Sequence, residues 1–156
     1  MRAQTLNEIA RMAGGRVVGD GEVQIAAVSS DSRALPDADG RAVLFIALKG
    51  PAFDGHDHVA NAATKGARAA LVSREVPGVS IPQIVVADTQ LALAAWANAV
   101  QRTRATKVAA ITGSNGKTSV KALLTAILKA HGPAYSNPGN RNNEIGLPLA
   151  VLDAPE

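Results

Sequence analysis

Cysteine is absent from the 156-residue sequence, which excludes disulfide bonds and cysteine-ligated metal clusters. Aromatic residues make up only 3% of the chain, too few for the stacking surfaces that bind single-stranded nucleic acids. The Lys and Arg residues are scattered and the net charge is only +3, so we expect no nucleic-acid partner. No apolar run reaches the roughly 18 residues of a membrane helix, so we expect no membrane insertion and a cytoplasmic location.

What the sequence does contain is enough apolar surface for a core, with a hydrophobic share of 47%. Strand-like and helix-like segments alternate, which predicts the α/β class. Strands are predicted at residues 17–18, 23–28, 43–48, 69–72, 84–86 and 107–112. Helices are predicted at residues 6–13, 57–66, 88–102 and 117–131. A complete small α/β unit precedes residue 85 and a new helix–strand–loop–helix unit follows, so we predict domains at residues 1–85 and 86–156.

Individual residues refine the predicted helices. Thr5 and Glu8 have the spacing of a capping box, and Asp57 is expected to cap the helix that ends at Gly66. Trp96 lies on an apolar stripe and is expected in the core. The helix at residues 117–131 is predicted to face inward with Val120, Leu124, Ile127 and Leu128.

The strongest chemical signal is a glycine-rich loop between a predicted strand and a predicted helix, where a phosphate-binding loop is found. Gly113 and Gly116 would let the backbone wrap around a polyphosphate such as that of ATP. Lys117 could reach the β and γ phosphates as a catalytic cation, and the Thr118 hydroxyl could ligate Mg²⁺. The loop is a shortened variant, since Ile111 stands where the general pattern has glycine. The expected ATP-binding residues are Thr112, Gly113, Ser114, Asn115, Gly116, Lys117 and Thr118.

Other polar residues leave two interpretations open. The segment from Ser29 to Arg33 suits phosphate or uracil oxygens, but equally suits a solvated turn at a strand end. Lys49 follows a buried strand, where open α/β sheets place ligands, but a solvated lysine is nearly as plausible. A metal site among Asp54, His56, Asp57 and His58 is disfavoured, because no third cluster supports it.

Three motifs in order resemble the Mur ligases, relatives of the folylpolyglutamate synthetases. The phosphate loop carries the resemblance together with residues 29–33, 44–50 and 53–56. The Asn-rich segment at residues 139–148 is similar to the Asn-rich motif of one branch of this family, which joins D-alanyl-D-alanine to UDP-N-acetylmuramoyl-tripeptide. The alternatives are the branch that adds the third amino acid, and a stand-alone nucleotide-binding module.

The resemblance implies a small amino-terminal α/β substrate domain, residues 1–85, that holds the UDP-sugar. Residues 86–156 would begin a P-loop ATPase domain with a parallel sheet. The implied activity is an ATP- and Mg²⁺-dependent ligation through an acyl phosphate, in peptidoglycan precursor synthesis. The substrate-binding residues that it implies are Ser29, Ser30, Asp31, Ser32, Arg33, Lys49, His56, Asn140, Asn142 and Asn143.

Compared with complete members of this family, the chain stops soon after the Asn-rich segment. We therefore expect an amino-terminal fragment that does not catalyse ligation alone. A sheet that is only partly built would leave apolar edges exposed after about residue 105, which predicts self-association or marginal order there.

Overall fold

The computed structural model of the chain describes residues 1–33, 35, 40–139 and 141–155. Its first helix, α1 (Leu6–Ala13), begins at the predicted capping box. The Thr5 side chain accepts a hydrogen bond from the Glu8 amide, and the Glu8 carboxylate accepts one from the Thr5 amide. The helix ends at Gly14, whose φ of 71° is in the left-handed region that glycine tolerates. Both ends of α1 therefore lie where the sequence predicted them.

The strands form two sheets. Strands β1 (Gln4–Thr5) and β3 (Gln24–Ile25) pair as a short antiparallel ribbon. The main sheet contains the strands β2 (Arg16–Val18), β4 (Ala27–Ser29), β5 (Val43–Ile46), β6 (Ala67–Val72) and β7 (Gln83–Val85). Their order is β2-β7-β6-β5-β4, with β2 antiparallel to β7 and the other pairs parallel. The prediction of an α/β fold with a parallel sheet is confirmed.

The other helices vary widely in burial. A 3-10 helix (Gly55–His58) leads into α2 (Val59–Thr64), and α3 (Thr89–Thr103), α4 (Lys117–His131) and α5 (Gly146–Asp153) follow. Leu44, Leu71 and Trp96 lie in one core between the sheet and the helices α1, α3 and α5. Phe45, Val59 and Val72 lie in a second core between the other sheet face and α2. The sheet is thus buried on both faces, as its continuous apolar strands require.

Two helices that follow residue 85 belong to the first of these cores. Helix α3 contributes Leu93 and Trp96, and α5 contributes Leu152. The Trp96 indole donates a hydrogen bond to the Gln4 side chain at 3.0 Å, which confirms its place in the core. The division of the chain at residue 85 stays a prediction. Among the described residues, no helix is long and apolar enough to cross a membrane.

Three details of the predicted structure were wrong. Residues 107–112 form no strand, since none of the described strands pairs with this segment. Helix α4 buries none of its residues, so its apolar stripe does not face a core. Asp57 caps no helix, because the side chain of Asp54 accepts the capping hydrogen bond from the His56 amide instead. The exposed members of the α4 stripe are Val120, Ile127 and Leu128, while Leu124 is half-buried.

Candidate functional site

The carboxyl ends of four strands lie along one edge of the main sheet. Strands β4, β5, β6 and β7 are parallel neighbours, so the residues that follow them meet at this edge. They are residues 30–33 after β4, Lys49 after β5, Ser73 after β6 and Asp88 after β7. We call this the carboxyl edge. The segment from Ser30 to Arg33 and Lys49 therefore follow the ends of two neighbouring strands.

Arg33 and Asp31 form a bidentate ion pair at this edge. The Arg33 Nε and Nη2 groups donate to the two carboxylate oxygens of Asp31, at 3.0 and 2.9 Å. The Arg33 amide donates to the same carboxylate at 2.9 Å. These hydrogen bonds lower the pKa of Asp31 to about 2, and the carboxylate raises the pKa of Arg33. The Arg33 side chain remains 84% exposed, so the outer face of its guanidinium is accessible to a ligand.

The three serines of this segment differ in exposure. The Ser29 hydroxyl accepts a hydrogen bond from the Asp31 amide and donates to the Asp31 carbonyl, both at 3.1 Å. Ser32 is buried, whereas Ser30 is exposed. The segment is therefore a structured turn that presents Ser30 and the Arg33 guanidinium to solvent.

Lys49 lies on a short loop that folds back on itself. Its backbone forms an isolated antiparallel bridge with Asp54, and the Gly50 amide donates to the Phe53 carbonyl at 2.9 Å. Gly55 packs directly on the backbone of Leu48, where an added Cβ would lie 2.6 Å from the Leu48 carbonyl oxygen. The Lys49 side chain is exposed at the end of this tightly closed loop.

His56 is buried and both of its ring nitrogens have partners. Nδ1 lies 2.5 Å from the Asp54 carboxylate, and Nε2 accepts from the Ser73 amide at 2.8 Å. Arg74 donates to the other oxygen of Asp54 at 2.9 Å. Hydrogen bonds from the amide and the ring of His56, and from Arg74, hold the pKa of Asp54 well below its ordinary value. The expected direct contact of His56 with a substrate does not fit this arrangement, since neither nitrogen faces solvent.

The first turn of α3 connects the carboxyl edge to the Asn-rich segment. The buried Thr89 hydroxyl donates to the Ala47 carbonyl at 3.1 Å. The Gln90 side chain donates to the Glu144 carboxylate at 2.6 Å. Sequence reasoning missed Ser73, Arg74 and Gln90. Each follows the end of a parallel strand by a few residues, which is the signal that could have identified them.

Both described asparagines of the Asn-rich segment are exposed, and one of them, Asn143, also has a structural role. The Asn143 side-chain oxygen accepts from the Gly146 amide at 2.6 Å and the Ile145 amide at 3.3 Å, at the start of α5. Asn142 is exposed beside Gln90, in a shallow groove. Asn140, the third predicted residue, lies outside the described residues. Asn142 is thus the side chain of this segment best placed for a ligand.

The phosphate loop lies at the start of α4, as predicted. Gly113 and Gly116 have φ values of 143° and 79°, in the region that favours glycine. Gly116 also precedes the helix without any side chain to cap it, so amides of the first turn point out of the helix end. The Lys117 ammonium donates to the carbonyl of Gly113 and, at 3.3 Å, to that of Ser114. A cation and helix amides therefore converge on the loop, which is the chemistry that binds phosphate.

The remaining loop residues are open to solvent. Thr112, Ser114, Asn115 and Thr118 are all exposed, and Thr118 follows Lys117 directly. The Thr118 hydroxyl is thus accessible to a metal ion at the helix start. Within the described part of the chain, no group of three or more His, Asp or Glu side chains is placed to hold a metal.

Lys121, one helical turn after Lys117, joins the phosphate-loop helix to the Asn-rich segment. Its ammonium donates to the carbonyls of Asn137 and Gly139, both at 3.0 Å. The Asn137 side chain in turn donates to the Arg141 carbonyl at 3.0 Å. Hydrogen bonds therefore connect two helices to the Asn-rich segment, α4 through Lys121 and the first turn of α3 through Gln90.

Comparison with known proteins identifies both halves of the chain. Residues 24–112 match the family model "Mur ligase family, catalytic domain", and residues 111–156 match "Mur ligase middle domain". A relative from Escherichia coli (strain K12) is 41% identical over 97% of this chain, and one from Bacillus subtilis (strain 168) is 39% identical over 100%. Both are named UDP-N-acetylmuramoyl-tripeptide–D-alanyl-D-alanine ligase. The chain covers 32% and 34% of their lengths, about a third.

Solved structures agree with this result. The crystal structure of MurF from Acinetobacter baumannii is 33% identical and superposes with a TM-score of 0.88 over 99% of this chain and 34% of its own. MurF ligase from Thermotoga maritima in complex with ADP is 31% identical, with a TM-score of 0.72 over 83% of this chain and 29% of its own. The chain belongs to the Mur ligase family.

Proposed function

We propose that the chain forms the substrate-binding and phosphate-loop part of an ATP-dependent ligase that adds D-alanyl-D-alanine to UDP-N-acetylmuramoyl-tripeptide. The observation that carries the proposal is a set of hydrogen bonds that connects the regions around the predicted ligand-binding residues. Lys121 joins the phosphate-loop helix to the Asn-rich segment, and the Gln90–Glu144 hydrogen bond joins that segment to the first turn of α3, directly after Asp88 of the carboxyl edge. The names of the relatives supply the substrates and product of the reaction.

The reaction requires ATP because a carboxylate lacks a leaving group. An oxygen of the terminal carboxylate of the tripeptide attacks the γ-phosphorus of ATP, and ADP leaves. The amine of D-alanyl-D-alanine then attacks the acyl carbon and loses a proton, and inorganic phosphate leaves as the amide forms. Positioning and charge neutralisation are what the protein contributes to the phosphoryl transfer.

In this scheme the phosphate loop of the chain binds the polyphosphate of ATP. The amides at the start of α4 donate to phosphate oxygens, and the Lys117 ammonium exchanges its carbonyl partners for the β and γ phosphates. The structure of the Thermotoga maritima relative in complex with ADP supports nucleotide binding. Lys117 is accordingly the residue of this chain that we assign to catalysis.

Mg²⁺ fits this site only together with the nucleotide. The exposed Thr118 hydroxyl is the one ligand we assign to it, and the described residues offer no acidic cluster that would hold the ion alone. When bound, Mg²⁺ would neutralise charge on the phosphates of ATP.

The part of the carboxyl edge that carries Ser30, Arg33 and Lys49 is the proposed site of the UDP-sugar. Ser30 and the outer face of Arg33 provide hydrogen-bond donors for phosphate or uracil oxygens, and Lys49 adds a cation at the same edge. Residues 1–85 would supply this site, and residues 86–156 would begin the ATP-binding domain. The same proposal places the reaction in the cytoplasm, where ATP and UDP-linked sugars are available.

Calorimetric titration of the chain tests both sites. We expect UDP-N-acetylmuramoyl-tripeptide to bind more tightly than UMP or UDP-glucose, and Arg33→Ala to weaken it about tenfold through the loss of charge-assisted hydrogen bonds. We expect Lys117→Met to weaken MgATP binding by a similar factor. Lys129→Met, which removes an exposed cation from the far end of the same helix, serves as the matched control. A folded chain that binds neither ligand would contradict the proposal.

A further inference from the structure

The carboxyl edge contains a buried histidine whose role the proposed reaction does not explain. We propose that His56 is a positioning residue: as a neutral imidazole protonated on Nδ1, it holds the loop that carries Lys49 against the end of β6. The functional part of this inference, an effect on sugar-nucleotide affinity, rests on the proposed function. The structural part, the anchoring of the loop, does not.

The protonation state follows from the hydrogen-bond partners of the ring. The Ser73 amide can only donate, and it lies 2.8 Å from Nε2, so Nε2 must be an unprotonated acceptor. The neutral ring then carries its proton on Nδ1, which donates to the Asp54 carboxylate at 2.5 Å. Asp54 remains an ionised acceptor because it also receives hydrogen bonds from the His56 amide and from Arg74. The partners on both sides of the ring therefore specify the same tautomer.

Because the His56 ring is buried, losing one of its hydrogen-bond partners would be costly. The His56 side chain is only 1% exposed, so a lost partner could not be replaced by bulk water. The ring links two elements that are distant in sequence, the 3-10 helix (Gly55–His58) and the end of β6. A change at His56 therefore removes a connection between them rather than a local contact.

His56 is connected to the backbone around Lys49 through the two residues that precede it, Gly55 and Asp54. Gly55, its neighbour, donates to the Leu48 carbonyl at 2.7 Å, and the close contact leaves no space for a side chain at Gly55. Asp54 forms the backbone bridge to Lys49. The contacts that hold His56 and Asp54 in place therefore also hold the backbone on both sides of Lys49.

A second interpretation of the same atoms is an Asp–His–Ser catalytic triad, since the Ser73 hydroxyl lies 3.2 Å from Nε2. Two observations favour positioning. The backbone amide of Ser73 is the nearer partner of Nε2, and the ring is buried rather than open to a substrate. The two roles make opposite predictions for Ser73→Ala, which removes the hydroxyl and keeps the amide.

The test compares four variants of the whole chain by hydrogen exchange of the Gly50 and Gly55 amides and by calorimetric titration with UDP-N-acetylmuramoyl-tripeptide. We expect His56→Ala to speed exchange at both amides and weaken binding about tenfold. His56→Gln keeps an acceptor for the Ser73 amide and should recover much of both effects. His56→Asn keeps only a donor for Asp54 and should recover less. Ser73→Ala should match the wild type.

The outcomes separate the possibilities. Unchanged exchange in His56→Ala, or a Ser73→Ala variant that behaves like His56→Ala, would overturn the proposal. If His56→Ala does not fold, ¹⁵N NMR of the wild-type ring decides: an unprotonated Nε2 is expected, and a protonated Nε2 would overturn it. If the wild type does not bind the nucleotide, the proposed function fails, while the exchange rates still decide whether His56 anchors the loop.

Discussion

Helices α3 and α4 have the same length of 15 residues and both carry an apolar stripe, yet they differ in how much of that stripe is buried. Helix α3 buries its stripe between α1, α5 and the sheet, with Leu93 and Trp96 fully covered. Helix α4 buries no residue. The periodicity of a sequence tells which face of a helix is apolar, but only the neighbouring elements decide whether that face is covered.

The two helices also begin differently. Asp88 precedes α3, and its carboxylate accepts hydrogen bonds from the Gln90 and Leu91 amides at 2.8 and 2.9 Å. Gly116 precedes α4 and has no side chain with which to do so. An occupied cap stabilises a helix, whereas uncapped amides are available to an anionic ligand. The side-chain cap therefore stabilises the start of α3, whereas the uncapped amides of α4 support the phosphate-binding role that we propose for it.

The largest expected effect comes from one substitution made in each helix. Leu93 is fully buried and Leu123 is 67% exposed. We expect Leu93→Ala to lower the free energy of unfolding by about 2–5 kcal/mol, because it leaves a cavity. Leu123→Ala should change it by less than about 0.5 kcal/mol. Urea denaturation followed by circular dichroism measures both. Equal losses would show that α4 is packed in solution after all.

A smaller effect is expected at the start of α3. Asp88→Ala removes the cap and should lower the free energy of unfolding by about 1 kcal/mol. Asp57→Ala is the control, since this exposed residue resembled a helix cap in the sequence but caps nothing in the structure. Thermal unfolding should show a lower melting temperature for Asp88→Ala and little change for Asp57→Ala. The reverse order would support the original prediction for Asp57.

The smallest expected effect is on the pKa of Asp31, and it follows from a difference between the carboxyl edge and the phosphate loop in the partners of their cations. Arg33 at the carboxyl edge pairs with a carboxylate, whereas Lys117 in the phosphate loop contacts carbonyl oxygens. Because Arg33 stabilises the charged form of Asp31, carboxyl ¹³C NMR should give Asp31 a pKa of about 2. Arg33→Ala should return it towards 3.8. The lowered pKa means that this pairing contributes to stability above about pH 4 and is lost as the pH falls towards 2. An unchanged pKa in Arg33→Ala would refute the pairing.

The sequence predicted the elements whose signals are local. The capping box of α1, the buried strand at Val43–Ile46 and the extent of α3 all appear where propensity and periodicity placed them. The position of the glycine-rich loop directly before α4 was also predicted from the sequence, because its glycines and lysine lie within a few residues of each other.

Features that depend on distant residues were missed or wrong. The expected strand at residues 107–112 needs a partner strand, and the expected inward face of α4 needs a covering element. The substrate contact expected for His56 rested on the family resemblance, and nothing local in the sequence shows that the Ser73 amide, 17 residues away, donates to its ring. The Gln90–Glu144 contact spans 54 residues and is equally invisible to periodicity.

Hydrogen exchange of the α3 and α4 amides, with and without MgATP, tests the central comparison most directly. We predict slow exchange in α3 and fast exchange in α4 for the chain alone, because burial protects only α3. With MgATP, protection should increase at residues 113–120 and remain unchanged in α3. Slow exchange throughout α4 without nucleotide, or an MgATP effect on α3 with none at residues 113–120, would contradict the account.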